Sequence, residues 1–285
     1  MKDIKKAHPY MTPPDFLAIG HICHDLLPGG GSVPGGAAAY AGLLASRLGH
    51  RTAVLTRFGS DFLFASQFRG LEMHVVPASH TTVFENIYQD GHRIQYMHQK
   101  AGNLTPAQLP DPWRKAKAVL LGPICDEVSF DFLDAFDHAI VCACPQGWMR
   151  GMDSTKRVVP KPIENWALLS KADIVSMSEN DVGGDWDLIE NIAGQARILL
   201  VTQGAQGATV FYENRREHYP AFPAAEKDPT GAGDIFAAAF TLHFAARKNV
   251  GDAVRYAHAA AALSVEGAGM ASIPDKHAME AMLKK

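Results

Sequence analysis

The sequence predicts an α/β fold. Three observations point that way. Short apolar runs that read as buried strands recur along the chain, and helical stretches separate most of them. The chain has 285 residues, 47% hydrophobic and 20% charged, enough to bury a large core as one big α/β domain or two small ones. Between residues 81 and 99 the rhythm breaks, and two alternating strands follow one another without a helix. No repeat or low-complexity linker marks a boundary, so 1–285 reads as a single domain.

Phe16 to Gly20 is the first buried strand. It leads to Asp25, just past a strand end, where open α/β sheets carry their ligand sites. Pro28 to Gly36 is the most flexible stretch, and a small-residue helix follows from Ala37 to Gly49. Thr52 to Thr56 is the second strand. Gly59-Ser60-Asp61 opens a short helix through Arg69, with Asp61 as its N-cap. Leu71 to Val76 is the third strand. Thr82 to Tyr88 and Arg93 to Met97 then alternate as a hairpin turning at Asp90-Gly91. Val119 to Gly122 resumes the strand–helix pattern, with a helix expected from Asp126 to Phe136 and a strand from Ala139 to Ala143. Further strands cover Ala172 to Met177 and Ile198 to Thr202. Alanine-rich helices cover Ala237 to Arg247 and Asp252 to Glu266.

Composition narrows the function. Net charge is −3, which gives no electrostatic case for nucleic acid or an anionic membrane. No apolar run approaches the roughly 18 residues of a membrane span. Met1 to Pro14 carries Lys2, Lys5 and Lys6 without an apolar core, so it reads as a loose tail and not a signal peptide. Cys23, Cys125, Cys142 and Cys144 are expected to be thiols, three of them in or beside strand-like runs. Cys142-Ala143-Cys144 lacks the spacing of a zinc or thioredoxin site, and the 13 histidines form no metal set. A cytosolic protein follows.

The most informative stretch is Asp228-Pro229-Thr230-Gly231-Ala232-Gly233-Asp234-Ile235-Phe236. It reads as a glycine-rich turn running into a helix, with Thr230 as the N-cap. Free N–H groups and the helix dipole make such an end a phosphate site. A carboxylate beside bound phosphate repels it, so Asp234 makes sense as the group that takes a nucleophile's proton. A simple capped helix start is the alternative. Phe236 stands where the third glycine of a dinucleotide fingerprint belongs, and the chain has no Gly-Lys pair for a P-loop.

Asp228 to Asp234 resembles the C-terminal signature of the PfkB, or ribokinase-like, carbohydrate kinases. The resemblance runs in matched order from Gly20 to Gly269. It implies a three-layer αβα sandwich with a mainly parallel central sheet and a small β-sheet lid, formed by roughly 24–36 and 80–100. It implies transfer of the γ-phosphoryl group of ATP to a hydroxyl of a small sugar or polyol. Asp234 would be the base, and the N–H groups of Gly231, Ala232 and Gly233 the anion hole. Asp25, Gly35, Gly36, Asn86 and Arg150 would meet the acceptor. The Gly35-Gly36 signature departs from the family at Tyr40, where an asparagine commonly contacts the sugar; the look is closer to an inositol-kinase-like branch. Pro145 to Arg150 resembles the family's Asp-Pro-Gln-Gly-x-x-Arg, with Cys144 in the acid's place. Ser178, Glu179 and Asp181 occupy the place of the groups that manage Mg²⁺ and its waters. Thr202, Gly204 and Gly207 match the turn along the nucleotide, and Asp228 and Thr230 complete the cofactor set. ATP and Mg²⁺ are the implied cofactors, with a monovalent cation as an open requirement. An exposed strand edge on the lid also invites a homodimer. A nucleoside kinase of the same fold and a non-catalytic sugar or nucleotide binder remain the rival readings.

Overall fold

The computed structural model describes residues 12–89, 92–136 and 138–284. The expected tail up to Met11 and the turn at Asp90-Gly91 lie outside the described residues. The first half contains β1 (Phe16–Ile19), β2 (Cys23–Leu26), β3 (Ser32–Gly35), α1 (Ala37–Arg47), β4 (Thr52–Gly59), β5 (Glu72–Ala78), β6 (Val83–Gln89) and β7 (His92–Gln99). There follow β8 (Ala118–Leu121), β9 (Ile140–Ala143), β10 (Arg150–Met152), β11 (Val158–Pro160), β12 (Ile174–Ser178) and α2 (Trp186–Ala193). The chain then forms β13 (Ile198–Thr202), β14 (Ala208–Tyr212), β15 (Arg215–Tyr219), α3 (Ala232–Arg247), α4 (Val250–Val265) and α5 (Lys276–Met282).

Nine strands form the central sheet in the order β15-β14-β13-β12-β9-β8-β1-β4-β5. Pairing is parallel from β13 through to β5, and β14 and β15 add antiparallel strands at one edge. The parallel strands are apolar on both faces, as a sheet covered on both sides requires. Phe16 and Ala18 of β1 join the core packed by α1, α3 and α4. Leu17 and Ile19 join the core on the other face, with Ile189 and Ile192 of α2 and Trp113 and Phe132 from short 3₁₀ turns. This is the expected αβα sandwich.

A second sheet has four strands in the order β3-β2-β6-β7. Its register pairs Asp25 with Val33 and Phe84, and Asn86 with Gln95. Pairing partners share a face, so Asp25, Asn86 and Gln95 line one side. The β10–β11 hairpin fastens its β7 edge: Met97 N donates to Lys156 O at 2.9 Å and Lys156 Nζ to His98 O at 3.3 Å.

Three expectations change. The helix expected from Gly59 to Arg69 is only a 3₁₀ turn, Ala65–Phe68, because β4 continues to Gly59. Asp61 caps nothing; it accepts from Thr81 N at 2.9 Å and Thr81 Oγ1 at 2.7 Å, tying β4 to the start of the small sheet. The helix expected over Asp126 to Phe136 is a 3₁₀ turn, Phe130–Asp134. Asp126 sits at φ 58° and the Glu127 side chain turns inward, 1% exposed, so no helical turn can form there. The third change, at Thr230, belongs to the site.

Candidate active site

The glycine-rich turn enters α3 at Gly231, not at the expected Thr230. Gly231 takes φ 79° as the N-cap, a left-handed conformation, and no side chain caps the helix. Thr230 instead gives its N–H to Asp228 Oδ1 at 3.0 Å, while Asp228 Oδ2 accepts from Gly269 N at 2.8 Å. Burial works to raise the Asp228 pKa, but the Thr230 and Gly269 bonds outweigh it and hold the carboxyl low. Asp228 therefore fastens the turn to the segment after α4. Of the three turn amides, Ala232 N–H is engaged with Pro229 O at 3.1 Å. Those of Gly231 and Gly233 have no protein partner among the described residues, as expected in a first helical turn.

Asp234 lies on that first turn, half-buried. Burial pushes its carboxyl up to about 7; Asp181 adds to the rise and Arg150 opposes it. Both neighbours are held by Gln146. Arg150 Nη2 donates to Gln146 Oε1 at 2.7 Å, and Gln146 Nε2 donates to Asp181 Oδ1 at 2.7 Å. Arg150 Nη1 also reaches Ile124 O at 3.1 Å. An exposed amide thus bridges a cation and an anion, and both charges act on Asp234.

Tyr40, on the first turn of α1, is 4% exposed and packs its ring flat against Gly231, where a Cβ would overlap it. Burial raises its phenol, and the charges of Asp228, Asp25 and Asp234 raise it further. The phenol therefore lies among three of the expected site carboxylates. Gly35 on the neighbouring strand β3 makes room for Asp25: a Cβ there would overlap the Asp25 carboxylate. Cys23 Sγ also lies 3.8 Å from Asp25 Oδ1. Gly36 is held at φ 105° against the His21 carbonyl. Asn86 accepts from Gln95 Nε2 at 3.0 Å on the same face of the small sheet as Asp25.

Past β12, Ser178 and Asp181 form a reciprocal cap: Ser178 Oγ accepts from Asn180 N at 3.2 Å and Asp181 Oδ2 from Ser178 N at 2.8 Å. Ser178 is thereby a structural cap. Glu179 turns the other way and accepts from Gln203 Nε2 at 3.1 Å, next to the turn that carries Thr202, Gly204 and Gly207. Thr202 Oγ1 is directed at Met177 O, 3.4 Å away. Gly204 and Gly207 both take positive φ in that turn. The hard oxygens of Glu179 and Asp181, each partly exposed, suit Mg²⁺ held through its waters; they form no closed cage. Elsewhere, His21, Cys125 and Glu127 bring ligand-type atoms within 4.8 Å of one another, all buried. Glu127 already accepts from the N–H groups of His21, Ile124 and Cys125, so the cluster is a structural knot. Burial would raise its pKa, but His21 and these amides hold it low.

The structure brings Asp234, the turn amides, Arg150, Asp181 and Tyr40 together, with Asp25 and the small sheet beside them. Sequence reasoning missed Gln146 and Gln95, whose partners lie on other elements. All four cysteines are free thiols, as expected. No helix among the described residues is long and apolar enough to cross a membrane.

Residues 164–276 match the model of the pfkB family carbohydrate kinases. Inositol 3-kinase from Oryza sativa subsp. japonica is 27% identical over 79% of this chain and 61% of its own length. Ribokinase from Bacillus subtilis is 25% identical over 88% of both chains. A solved pyrophosphate-dependent kinase in the ribokinase family, complexed with a pyrophosphate analog and myo-inositol, shares the fold. Its TM-score is 0.80 and its identity 23%, over 93% of this chain and 99% of that one.

Proposed function

We propose that this chain, a PfkB-type and ribokinase-like kinase by its family match and its relatives, transfers the γ-phosphoryl group of ATP to a hydroxyl of a small sugar or polyol. One observation carries the reading: the carboxyl of Asp234, raised to about 7, stands on the same helical turn as unpartnered backbone amides. A base near neutrality beside an anion site is what deprotonating an alcohol under a phosphate requires.

In this reading Gly231 and Gly233 donate N–H to phosphate oxygens, and Ala232 joins them once its bond to Pro229 is given up. Bound Mg²⁺, held through Glu179 and Asp181, would offset the charge shifting between the donor's oxygens. Asp25 accepts protons from acceptor hydroxyls and fixes the ring, with Asn86 beside it. Asp234 takes the proton of the attacking hydroxyl. Arg150 keeps that carboxyl from rising further and faces the transferred group. The small sheet excludes water that would otherwise hydrolyse the donor. Thr202, Gly204, Gly207, Asp228 and Thr230 shape the donor side. Nothing in the turn amides reads an adenine, so pyrophosphate belongs in the assay as a second donor.

The test is ³¹P NMR of the chain with ATP or pyrophosphate, Mg²⁺ and a panel of sugars, cyclitols and nucleosides. A phosphomonoester product on a sugar or polyol is expected. Tight ligand binding with no turnover of any acceptor would overturn the reading in favour of a binder.

A further inference from the structure

We propose that Tyr40 is a positioning residue for the phosphate site: its ring is the fixed face against which the turn into α3 is held, so that the Gly231 and Gly233 N–H groups are aimed before a donor arrives. This rests on the phosphate-binding role given to the turn in the transfer reading above. The contact is direct, because a Cβ at Gly231 would meet three carbons of the Tyr40 ring. Gly231 also stands at φ 79° as the N-cap of α3. Only glycine meets both demands, a left-handed backbone and a Cα pressed on an aromatic face.

The face is fixed because α1 is fixed. Gly36 starts that helix at φ 105° against the His21 carbonyl, and Tyr40 N donates to Gly36 O at 3.3 Å. Two further glycines let α1 press on the sheet: a Cβ at Gly122 would overlap Ala37, and a Cβ at Gly42 would overlap Val54 of β4. Tyr40 itself is buried, so its ring has no solvent to swing into. From the other side Asp228 accepts from Thr230 N at 3.0 Å and from Gly269 N at 2.8 Å. The turn is thus clamped between a ring and a carboxylate. Amides held in place without a ligand bind an anion with little ordering cost, and they act at full strength on charge that develops during transfer. Burial and the charges of Asp228, Asp25 and Asp234 keep the phenol protonated, so the ring adds no charge beside the phosphates. The asparagine common at this place in the family has no such face.

The experiment is calorimetry of two non-hydrolysable donors, imidodiphosphate and β,γ-imido-ATP, with Mg²⁺ on the wild type, Tyr40→Phe, Tyr40→Leu and Tyr40→Met. Phenylalanine keeps the ring. Leucine and methionine keep apolar volume without a flat face, and methionine guards against a leucine variant that fails to fold. The two non-planar variants should raise Kd by about 10-fold or more with a stoichiometry still about one, while Tyr40→Phe stays within about threefold of wild type. Stoichiometry separates a displaced turn from partial unfolding, which would reduce the number of sites and leave Kd alone. A folded non-planar variant with Kd within about twofold of wild type would overturn this inference and leave the transfer reading standing. A loss in Tyr40→Phe as large as in Tyr40→Leu would overturn it as well, because the hydroxyl and not the ring would then be responsible. No binding of either analogue by the wild type would bring down the phosphate role of the turn and this inference together.

Discussion

Asp234 carries opposing neighbours, and this gives the reaction a pH signature. Its carboxyl ordinarily titrates near 3.8 and is raised to about 7 by burial, with Asp181 adding to the rise and Arg150 opposing it. The base must be unprotonated to act, so kcat/KM should climb through about pH 7 and level off above it. Arg150→Gln removes the opposing charge and should move that midpoint upward; Asp181→Asn should move it downward. Steady-state profiles from pH 5 to 9 check both directions, and shifts of the same sign in the two variants would count against the arrangement. Folding carries the mirror effect. A carboxyl whose folded pKa is raised costs nothing below its unfolded value and progressively more as pH rises toward 7. At this scale the sequence placed Asp234 on the first turn of a helix entered through glycine, as the structure has it; Asp25, expected in a loop past the first strand, lies instead within β2 of the small sheet. It placed Gln146 in a motif but gave it no partner, because Asp181 is 35 residues away, and it said nothing of the bond from Gln95 to Asn86, which forms only across a strand pair.

Two elements hold the site by close approach. The turn into α3 places Gly231 at φ 79° against the Tyr40 ring, with no room for a Cβ. Gly231→Ala should lower kcat by at least about 10-fold through a displaced amide, at a stability cost of roughly 1–3 kcal/mol. Turnover and urea denaturation measure the two parts separately. The small sheet is tethered to β4 by the Asp61 carboxylate on Thr81, whose side chain is fully buried. Asp61→Ala leaves that buried N–H unpaired and should cost about 1–3 kcal/mol of unfolding free energy, read from the urea midpoint. Element boundaries were the part least open to sequence reading. Val128 to Phe136 has enough apolar residues to suggest a helix, yet the Glu127 carboxylate is drawn inward by three N–H groups, and the segment follows it. Asp61 sits where a cap belongs, but its partner comes from 20 residues on.

Across the whole molecule, the division of labour follows the sheets. Asp234 and the turn amides stand on α3 against the central sheet, and would supply the proposed base and phosphate site; Asp25, Asn86 and Gln95 stand on the small sheet. The alternation of apolar runs and helices was enough to foresee the αβα layers, since each parallel strand must be covered on both faces. The register of the small sheet and its fastening to the β10–β11 hairpin depend on contacts that no local pattern announces. Asp234 would act through its side chain and the turn through its backbone N–H groups, so the proposed chemistry should be removable without emptying the donor site. The direct measurement is turnover and donor affinity of Asp234→Asn against wild type, at saturating acceptor and pH 8. A fall in kcat of about 10²–10⁴-fold is expected, with donor Kd by calorimetry within about threefold. A variant that keeps more than about half of the wild-type rate would contradict the account.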